Sequence, residues 1–393
     1  MSFLAVHRWL GLLSGLLVFI IAITGSLYAF QEEILDATED FRFTAERDAA
    51  VLPPSRLTAI AQAELPDRHL HSLEYGEPGR AAVALFFEDA PEHYYYLVYL
   101  DPYSGVVQGV KDMEAGFFHW VLDGHMYLWL PEEIGRRVVL VATVVFVVML
   151  LTGFVLWLPK KLKQLRQRLT FRWKATTRWK RKNWDLHAIG GVYSLGVALL
   201  FAVTGLVYAA PQWAVWYHAL AGGEKSMLYV EPPSEVPATA VAPLGDRMDD
   251  LFAGYRDVVG TGTTVELHPP ATDSSSILIV TNPLPGTYWR SDYVYFDQYS
   301  YAERPVDHVY GRYADADAAD KLLRLNYDLH VGAALGLPGK ILACLASLVI
   351  AGLVVTGVLL WWGRRNGPKG RRKPAAAGKP AKRREAAANP VTP

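Results

Sequence analysis

Four histidines occupy matching places in the two halves of this 393-residue chain. His7 begins the segment HRWLGLLSGLLVFIIAITGSLY, and His187 begins HAIGGVYSLGVALLFAVTGLVY, which aligns with it without a gap. His125 and His330 lie near the beginnings of a second pair of matching segments, aligned with one small gap. Because imidazole nitrogen is a metal ligand, a duplicated pair of histidine-headed segments predicts a symmetric binding site.

The segments that follow these histidines are long enough to cross a membrane. Apolar runs at 9–30, 137–158, 188–210 and 340–362 carry no charge in their interiors. About 20 residues at a 1.5 Å rise cross a hydrocarbon core roughly 30 Å thick, so four spanning helices are predicted. The first run could instead be a signal peptide, but it is longer than the usual apolar region and its near-copy lies in mid-chain.

Charges are segregated along the chain although the formal net charge is zero. The loop 159–182 is densely basic and has no acidic residue, and the tail 363–385 is nearly as basic. The long segments 31–135 and 211–337 are acid-rich. Short basic segments stay in the cytoplasm, so both termini are predicted inside and both long segments outside. The basic loop can lie on anionic lipid or receive an electron donor.

Each long outer segment has the pattern of a small α+β module. Residues 55–64 carry helical spacing after a serine, and the strand patterns that follow break at a DPYSG turn. The strands of both segments are predicted at 81–88, 93–110, 263–269, 275–282 and 291–309. VYLDPYSGVV aligns with VYFDQYSYAE, which places Asp101 over Asp297. The duplicated unit is therefore helix, outer module, helix.

The motifs H-R-W-L-G…T-G, D-P-x-S-G and G-H…G-R…T-G-x-x-L-W together resemble the PepSY-associated transmembrane proteins. Within that group the chain resembles the FoxB-type ferric-siderophore reductases of the bacterial inner membrane. The resemblance covers about residues 5–365. It implies four spans, two small periplasmic domains, two b-type hemes and electron delivery to periplasmic ferric siderophores. The second turn departs from the pattern because it is DQYSY, which puts the shape of the second module in question.

Small residues follow the first histidine of each half along one helical face. At about 100° per residue, Gly11, Ser14 and Gly25 return to the face of His7. The second copy repeats this stripe with Gly191, Ser194 and Gly205 after His187. A flat macrocycle needs such room beside its axial ligand, and bis-histidine heme is favoured. Ordinary close packing of helices also explains a small-residue stripe. The single cysteine, Cys344, excludes a C-x-x-C-H attachment for covalent heme.

Depth in the membrane predicts which histidines share a heme. His7 and His187 both precede an outward-running span, and His125 and His330 both precede an inward-running one. A pseudo-two-fold axis along the membrane normal then pairs His7 with His187 on the inner side. It pairs His125 with His330 on the outer side. The opposing possibility is that one heme joins histidines from neighbouring spans of the same half.

Several further polar residues have weaker expected roles. Arg8 could pair with a heme propionate or extend to lipid phosphate. Asp123, Asp185 and Asp328 each lie two residues before a candidate histidine and could orient its ring. His119 is the favoured extra ligand or substrate contact, and His218 is placed at the outer surface. The other histidines, among them His308, are expected to be solvated residues of the modules.

The sequence therefore predicts an α-helical integral membrane protein with two PepSY-like modules. Its predicted segments are helix 1 (1–30), module 1 (31–135), helix 2 (136–158), a cytoplasmic loop (159–186), helix 3 (187–210), module 2 (211–337), helix 4 (338–362) and a disordered basic tail (363–393).

The leading hypothesis is a di-heme b oxidoreductase that passes electrons outward to a ferric siderophore and releases ferrous iron. No G-x-G-x-x-G fingerprint or P-loop is present, so the electrons come from a partner, either a cytoplasmic reductase or a quinol. Beyond the donor, the acceptor and the lipid bilayer no partner is expected, and nucleic acid is excluded. Two alternatives are a membrane-anchored binding or regulatory protein without redox activity and a transporter that binds metal ions in transit.

Overall fold

Four long helices form the membrane part of the chain. The computed structural model describes residues 2–90, 92–238, 242–259 and 261–365. The spans are helices α1 (Phe3–Tyr28), α5 (Glu132–Trp157), α7 (Trp179–Ala209) and α12 (Gly336–Arg365). All are apolar and long enough to cross a bilayer, which confirms the four predicted spans. The predicted disordered tail lies, from residue 366 onward, outside the described residues.

The spans pack in a ring, α1 against α5 and α12, and α7 against the same two helices. A small apolar layer packs inside the bundle, formed by Val18, Ala22, Ala198, Ile350 and Ala351. Side chains of this size let the four helices approach closely, as is usual where membrane helices pack.

Among the described residues, eight shorter α-helices connect or flank the spans. They are α2 (Gln31–Thr38), α3 (Pro54–Glu64), α4 (Phe117–Met126), α6 (Leu165–Leu169), α8 (Pro211–Leu220), α9 (Leu244–Ala253), α10 (Ala318–Arg324) and α11 (Asn326–Val331). Helices α4 and α11 are the elements that carry His125 and His330, just before the second and fourth spans. α4 packs against α1, and α11 packs against α7.

The strands of the extramembrane part form one antiparallel sheet. Its strands are β1 (Leu70–Tyr75), β2 (Ala82–Glu88), β3 (Tyr94–Leu100), β4 (Val107–Asp112), β5 (Thr264–His268), β6 (Ser276–Asn282), β7 (Asp292–Asp297) and β8 (Glu303–Arg304). The order is β4-β3-β2-β1-β5-β6-β7-β8, so β1 and β5 join the two halves at the centre. The expectation of two separate modules is therefore corrected. Pairing the two inner edges satisfies backbone groups that two separate sheets would expose.

A single core under this sheet unites the halves. Leu57 and Ala61 on α3, with Met248 and Phe252 on α9, pack on the same face of the sheet. Ser55 at the start of α3 donates to Asp249 on α9 through its backbone nitrogen (2.8 Å) and its hydroxyl (2.5 Å). Because apolar residues of both halves bury each other, the two halves form one folding unit.

The two turns that differ in sequence have the same structure. Asp101 accepts the backbone N–H groups of Tyr103 and Ser104, and Asp297 accepts those of Tyr299 and Ser300. In the first turn Gly105 takes the left-handed conformation with φ of 74°. In the second turn Tyr301 takes the same conformation with φ of 57°. The second turn thus keeps its shape although a bulky residue replaces glycine.

Candidate functional site

The structure brings the four candidate histidines together in two pairs. The ring centroids of His7 and His187 are 6.3 Å apart, and those of His125 and His330 are 6.0 Å apart. Each pair joins the two halves of the chain, which is the pairing that the depth argument predicts. In neither pair do the rings stack, since their planes are inclined by 73° and 64°.

The inner pair is held by the ends of the second and fourth spans. Nδ1 of His7 lies 3.1 Å from the carbonyl of Met149 and 3.1 Å from the hydroxyl of Thr152 on α5. Nδ1 of His187 has the equivalent bonds on α12, 3.1 Å to the carbonyl of Leu353 and 3.0 Å to the hydroxyl of Thr356. Each histidine thus binds the neighbouring antiparallel span of its own half.

The outer pair repeats this arrangement on the other two spans. Nδ1 of His125 lies 3.0 Å from the carbonyl of Ile21 and 3.4 Å from the hydroxyl of Thr24 on α1. Nδ1 of His330 lies 2.8 Å from the hydroxyl of Thr204 on α7.

These bonds fix the tautomer of each ring. A carbonyl oxygen can only accept a hydrogen bond, so Nδ1 carries the proton in His7, His125 and His187. In the fourth ring, His330, the same follows because the Thr204 hydroxyl donates to the carbonyl of Leu200 and therefore accepts from Nδ1. Nε2 is then the unprotonated nitrogen, with a lone pair free to bind a metal ion. Donation from the remote ring nitrogen to a fixed oxygen is the usual way in which a protein orients a metal-binding imidazole.

A glycine completes the recess for each ring. An added Cβ would lie 2.8 Å from Cε1 of His125 at Gly25, and 3.0 Å from Cε1 of His7 at Gly153. The corresponding distances are 3.2 Å at Gly205 for His330 and 3.3 Å at Gly357 for His187. We call these four recesses, each formed by a backbone carbonyl, a threonine and a glycine, the Thr-Gly cradles.

The cradles change the role of two predicted residues. The sequence places Gly25 and Gly205 beside the macrocycle of the histidine that heads their own span. In the structure they lie beside His125 and His330, at the opposite end of that span. The signal that identifies the cradles is the dipeptide Thr-Gly, which occurs near the end of all four spans with an apolar residue three positions before the threonine.

The rest of the small-residue stripe packs against neighbouring spans. An added Cβ at Gly11 would lie 3.3 Å from the Met149 side chain, and the Ser14 hydroxyl is 3.4 Å from the Met149 sulfur. Gly191 faces Leu353, and Ser194 bonds the carbonyl of Gly191. A macrocycle at the inner pair therefore requires the side chains of Met149 and Leu353 to turn aside.

The three aspartates near the histidines do not orient them. Asp185 accepts hydrogen bonds from Trp173 and Arg181. Asp328 accepts the backbone N–H groups of Tyr288 and Trp289. Asp123 lies 3.4 Å from His119, one turn earlier on α4. The expectation that they bind the imidazoles is wrong, because residues two apart in a helix face different directions.

Other expected positions are corrected or refined. His218 is buried rather than at the outer surface, with Nε2 2.9 Å from the Asp320 carboxylate. His308 is also buried and not solvated. The Arg8 guanidinium lies over the ring of Trp9 at 5.4 Å.

The two histidine pairs lie at different heights. His7 opens α1, whereas His125 binds α1 at Ile21, which is 14 residues further along. At a 1.5 Å rise, 14 residues correspond to about 21 Å. On α1 the residues of the apolar layer, Val18 and Ala22, flank Ile21 and so lie close to the outer level.

A cavity of about 1170 Å³ lies against the outer pair. Val18, Ala22 and Ile350 of the apolar layer form its floor, and His125 and His330 line its wall. This volume exceeds the roughly 300–1,000 Å³ that is typical of small-molecule sites. The cavity therefore has room for a large planar cofactor beside the outer histidines.

The mouth of this cavity carries alternating acidic and imidazole side chains. Asp89 contacts His93 at 3.4 Å, and His93 contacts Glu114 at 3.3 Å. Glu114 lies 3.8 Å from His119, which contacts Asp123 at 3.4 Å. All five residues line the cavity. Three carboxylates at this opening create a negative field there.

The sheet face opposite the α3–α9 core adds to this negative field. Glu74 and Glu266 lie opposite each other across β1 and β5, on the same face as the cavity-lining Tyr95. Burial and the Glu266 carboxylate raise the pKa of Glu74 to about 8. Burial alone would raise the pKa of Glu266, but its contacts with His268 and Ser72 outweigh burial and lower that pKa. Near neutral pH the pair thus keeps one proton on Glu74 and one negative charge on Glu266.

The ring separation within each pair matches that of two histidines bound to one heme iron. Two imidazoles that bind one metal ion from opposite sides, at about 2 Å each, place their ring centroids roughly 6.3 Å apart. Within the described ranges, His, Cys, Asp and Glu do not form a group of three or more that could hold a metal ion. Each pair therefore supplies only two ligands, and a metal held there needs the remaining ligands from its cofactor, as in a porphyrin.

Comparison with known proteins identifies one family. Residues 4–364 match the family model described as the PepSY-associated TM region. No curated protein matches the chain. The family match covers the four spans, all four histidines and the whole sheet.

Proposed function

The chain belongs to the PepSY-associated transmembrane family, and on that premise we propose that it is a di-heme b oxidoreductase. It passes electrons from the cytoplasmic side of a bacterial inner membrane to a ferric siderophore in the periplasm. The observation that carries the proposal is the geometry of the two histidine pairs, with centroid distances of 6.3 and 6.0 Å and Nδ1 occupied in every ring.

His7 and His187 would hold the inner heme, and His125 and His330 the outer heme. Each bound heme supplies a reversible one-electron couple. The protein's own residues do three things: the cradles orient Nε2, the apolar layer excludes water, and the helices fix the distance between the two levels. In the overall reaction a ferric ion gains one electron, and the ferrous product binds hard oxygen ligands less tightly, so the iron is released.

The cavity mouth supports a particular class of acceptor. Its carboxylates, Asp89, Glu114 and Asp123, favour the approach of a neutral or cationic iron complex and disfavour an anionic one. An acceptor bound at this face would lie beside His125, the outer histidine on α4. An electron donor, either a cytoplasmic reductase or a quinol, would act at the opposite end, near His7 and His187.

The first test is the visible spectrum of the detergent-purified protein. We expect a Soret band and a pyridine hemochrome that corresponds to two hemes b per chain. A folded but colourless protein, even after incubation with hemin, would overturn the proposal. That result would favour the membrane-anchored binding protein as the function.

The second test concerns the acceptor. We expect dithionite-reduced protein to be reoxidised by cationic ferric siderophores faster than by anionic ones of similar potential, in anaerobic stopped-flow mixing. Glu114→Gln should slow the cationic complexes several-fold, and added salt should reduce the difference because it screens the field. Glu64→Gln, at an exposed position of α3, is the matched control. Equal rates for both charge classes would contradict the proposed acceptor class.

A further inference from the structure

Two asparagines connect the histidine pairs to the backbone of their cradles. Asn183 lies one helical turn before His187, and Asn326 lies one turn before His330. We propose, on the basis of the proposed heme function, that these asparagines are positioning residues. They make His187 and His330 the fixed ligand of each heme and leave His7 and His125 as the more mobile ones.

We call the two hydrogen bonds from one asparagine and one histidine to the same threonine an asparagine clamp. The outer site shows its geometry. Nδ2 of Asn326 donates to the carbonyl of Thr204 at 3.2 Å. The hydroxyl of the same threonine lies 2.8 Å from Nδ1 of His330. Residues four apart share a helix face, so Asn326 and His330 of α11 both hydrogen-bond Thr204 of α7. The ring of His330 can then neither tilt nor shift along α7 without breaking a buried hydrogen bond.

The inner site has the same clamp on different helices. Nδ2 of Asn183 donates to the carbonyl of Thr356 at 3.1 Å. The hydroxyl of Thr356 lies 3.0 Å from Nδ1 of His187. Both sites therefore use one asparagine, one threonine and one histidine in the same connection, although α7 and α11 differ in length and context.

The clamps are absent from the first half of the chain. Phe3 lies one turn before His7, and Val121 lies one turn before His125. Val121 is fully buried and Phe3 is exposed, so the equivalent positions of the first half form their helices without a buried amide. Both asparagines are almost completely buried, and Oδ1 of Asn183 has no hydrogen-bond partner among the described residues. Burying an amide in this way is unfavourable, so we expect each asparagine to have a specific task.

An aspartate in the same sequence motif forms further hydrogen bonds that hold each clamped segment in place. The sequences NWDLH (183–187) and NYDLH (326–330) share an aspartate two residues before the histidine. Asp185 accepts hydrogen bonds from Trp173 and Arg181, and Asp328 from backbone N–H groups at 288 and 289. Asn-x-Asp-Leu-His is thus one structural unit used at both levels of the membrane.

The consequence is an asymmetry between the two ligands of a site. At the outer site the His330 ring is 2.8 Å from its threonine, whereas the His125 ring is 3.4 Å from its own. Both rings line the large cavity, but only His330 has an asparagine clamp. When a ligand of the outer iron is displaced by an external molecule, His125 is the one that leaves.

The experiment compares Asn326→Leu with Asn183→Leu in the full-length protein. Removing a group that holds a metal ligand in place typically lowers affinity about 10- to 100-fold. We expect Asn326→Leu to release hemin faster from the outer site, measured by transfer to excess apomyoglobin. It should also change the outer low-spin EPR signal and the outer midpoint potential. Asn183→Leu should do the same at the inner site alone, so each variant is the control for the other.

Carbon monoxide tests the asymmetry itself. The His125→Ala variant should keep the outer heme and, when reduced, bind carbon monoxide at it. The His330→Ala variant should lose the outer heme. Unchanged hemin release, EPR signal and potential in both asparagine variants would overturn the proposal, as would equal effects at both sites. If leucine prevents folding, Asn326→Ala and Asn183→Ala give the same comparison. A wild-type protein that binds no heme would instead overturn the proposed function, so the two failures are distinguishable.

Discussion

Replacing His330 by alanine is expected to yield a folded protein that holds one heme instead of two. The substitution removes a ligand whose ring centroid is 6.0 Å from that of His125, and no other histidine is paired with His125 in this way. A heme left with His125 alone, which has no asparagine clamp, is bound far more weakly. The pyridine hemochrome should fall by half, and one of two midpoint potentials should disappear from a redox titration.

The four single alanine variants should fall into two groups. His125→Ala affects the same midpoint potential as His330→Ala, though less severely, because the clamped His330 can still hold the heme. His7→Ala and His187→Ala affect the other potential. His69→Ala, at an exposed position just before β1, should retain both hemes and is the matched control. If His7 and His125 instead affected the same heme, the pairing across the two halves would be wrong.

Sequence reasoning located the spans and grouped the histidines because both follow from one-dimensional features. Hydropathy depends only on the run of residues, and the alternation of basic and acidic segments gives each span a direction. Direction then gives each histidine a depth, and the internal repeat relates the two histidines at one depth. Neither step needs to know which side chains touch.

The Thr-Gly cradles could not be predicted in this way because each forms between a histidine and a different, antiparallel span. A helical wheel compares Gly25 only with residues of its own helix, and there it returns to the face of His7. In three dimensions the contact of Gly25 is His125, about 100 residues later in the chain. The repeated Thr-Gly dipeptide was visible, but its partner becomes apparent only when the helices are side by side.

The outer sheet shows the same limit in another form. Strand β1, LHSLEY, was not predicted because Ser72 and Glu74 interrupt its apolar character. Those residues face the side of the sheet that lacks α3 and α9, where Glu74 meets Glu266 of the other half. Because β1 was missed, the central pairing with β5 was missed as well, and one sheet was predicted as two modules.

The second large effect is expected at the cradle glycines, where one methyl group should be enough to displace a heme ligand. An added Cβ at Gly25 would lie 2.8 Å from Cε1 of His125, closer than any relaxed contact. Overpacking of this kind is destabilising by about 1–3 kcal/mol, and the ring must move before the helix backbone does. Gly25→Ala should therefore weaken the outer heme, and Gly25→Val should prevent its binding.

The four cradles should respond in the order of their clearances. The distances are 2.8 Å at Gly25, 3.0 Å at Gly153, 3.2 Å at Gly205 and 3.3 Å at Gly357, so alanine should disturb heme binding most at Gly25 and least at Gly357. Gly196→Ala on α7 and Gly352→Ala on α12 are matched controls, because an added Cβ there meets nothing within 4 Å. In a helix interior that exchange is favourable by up to about 1 kcal/mol. Hemin affinity measured by titration of heme-depleted protein should fall in the cradle variants and stay constant in the controls. If Gly25→Ala bound hemin as tightly as Gly196→Ala, the glycines would serve helix packing alone, and the cradle would reduce to its threonine and carbonyl.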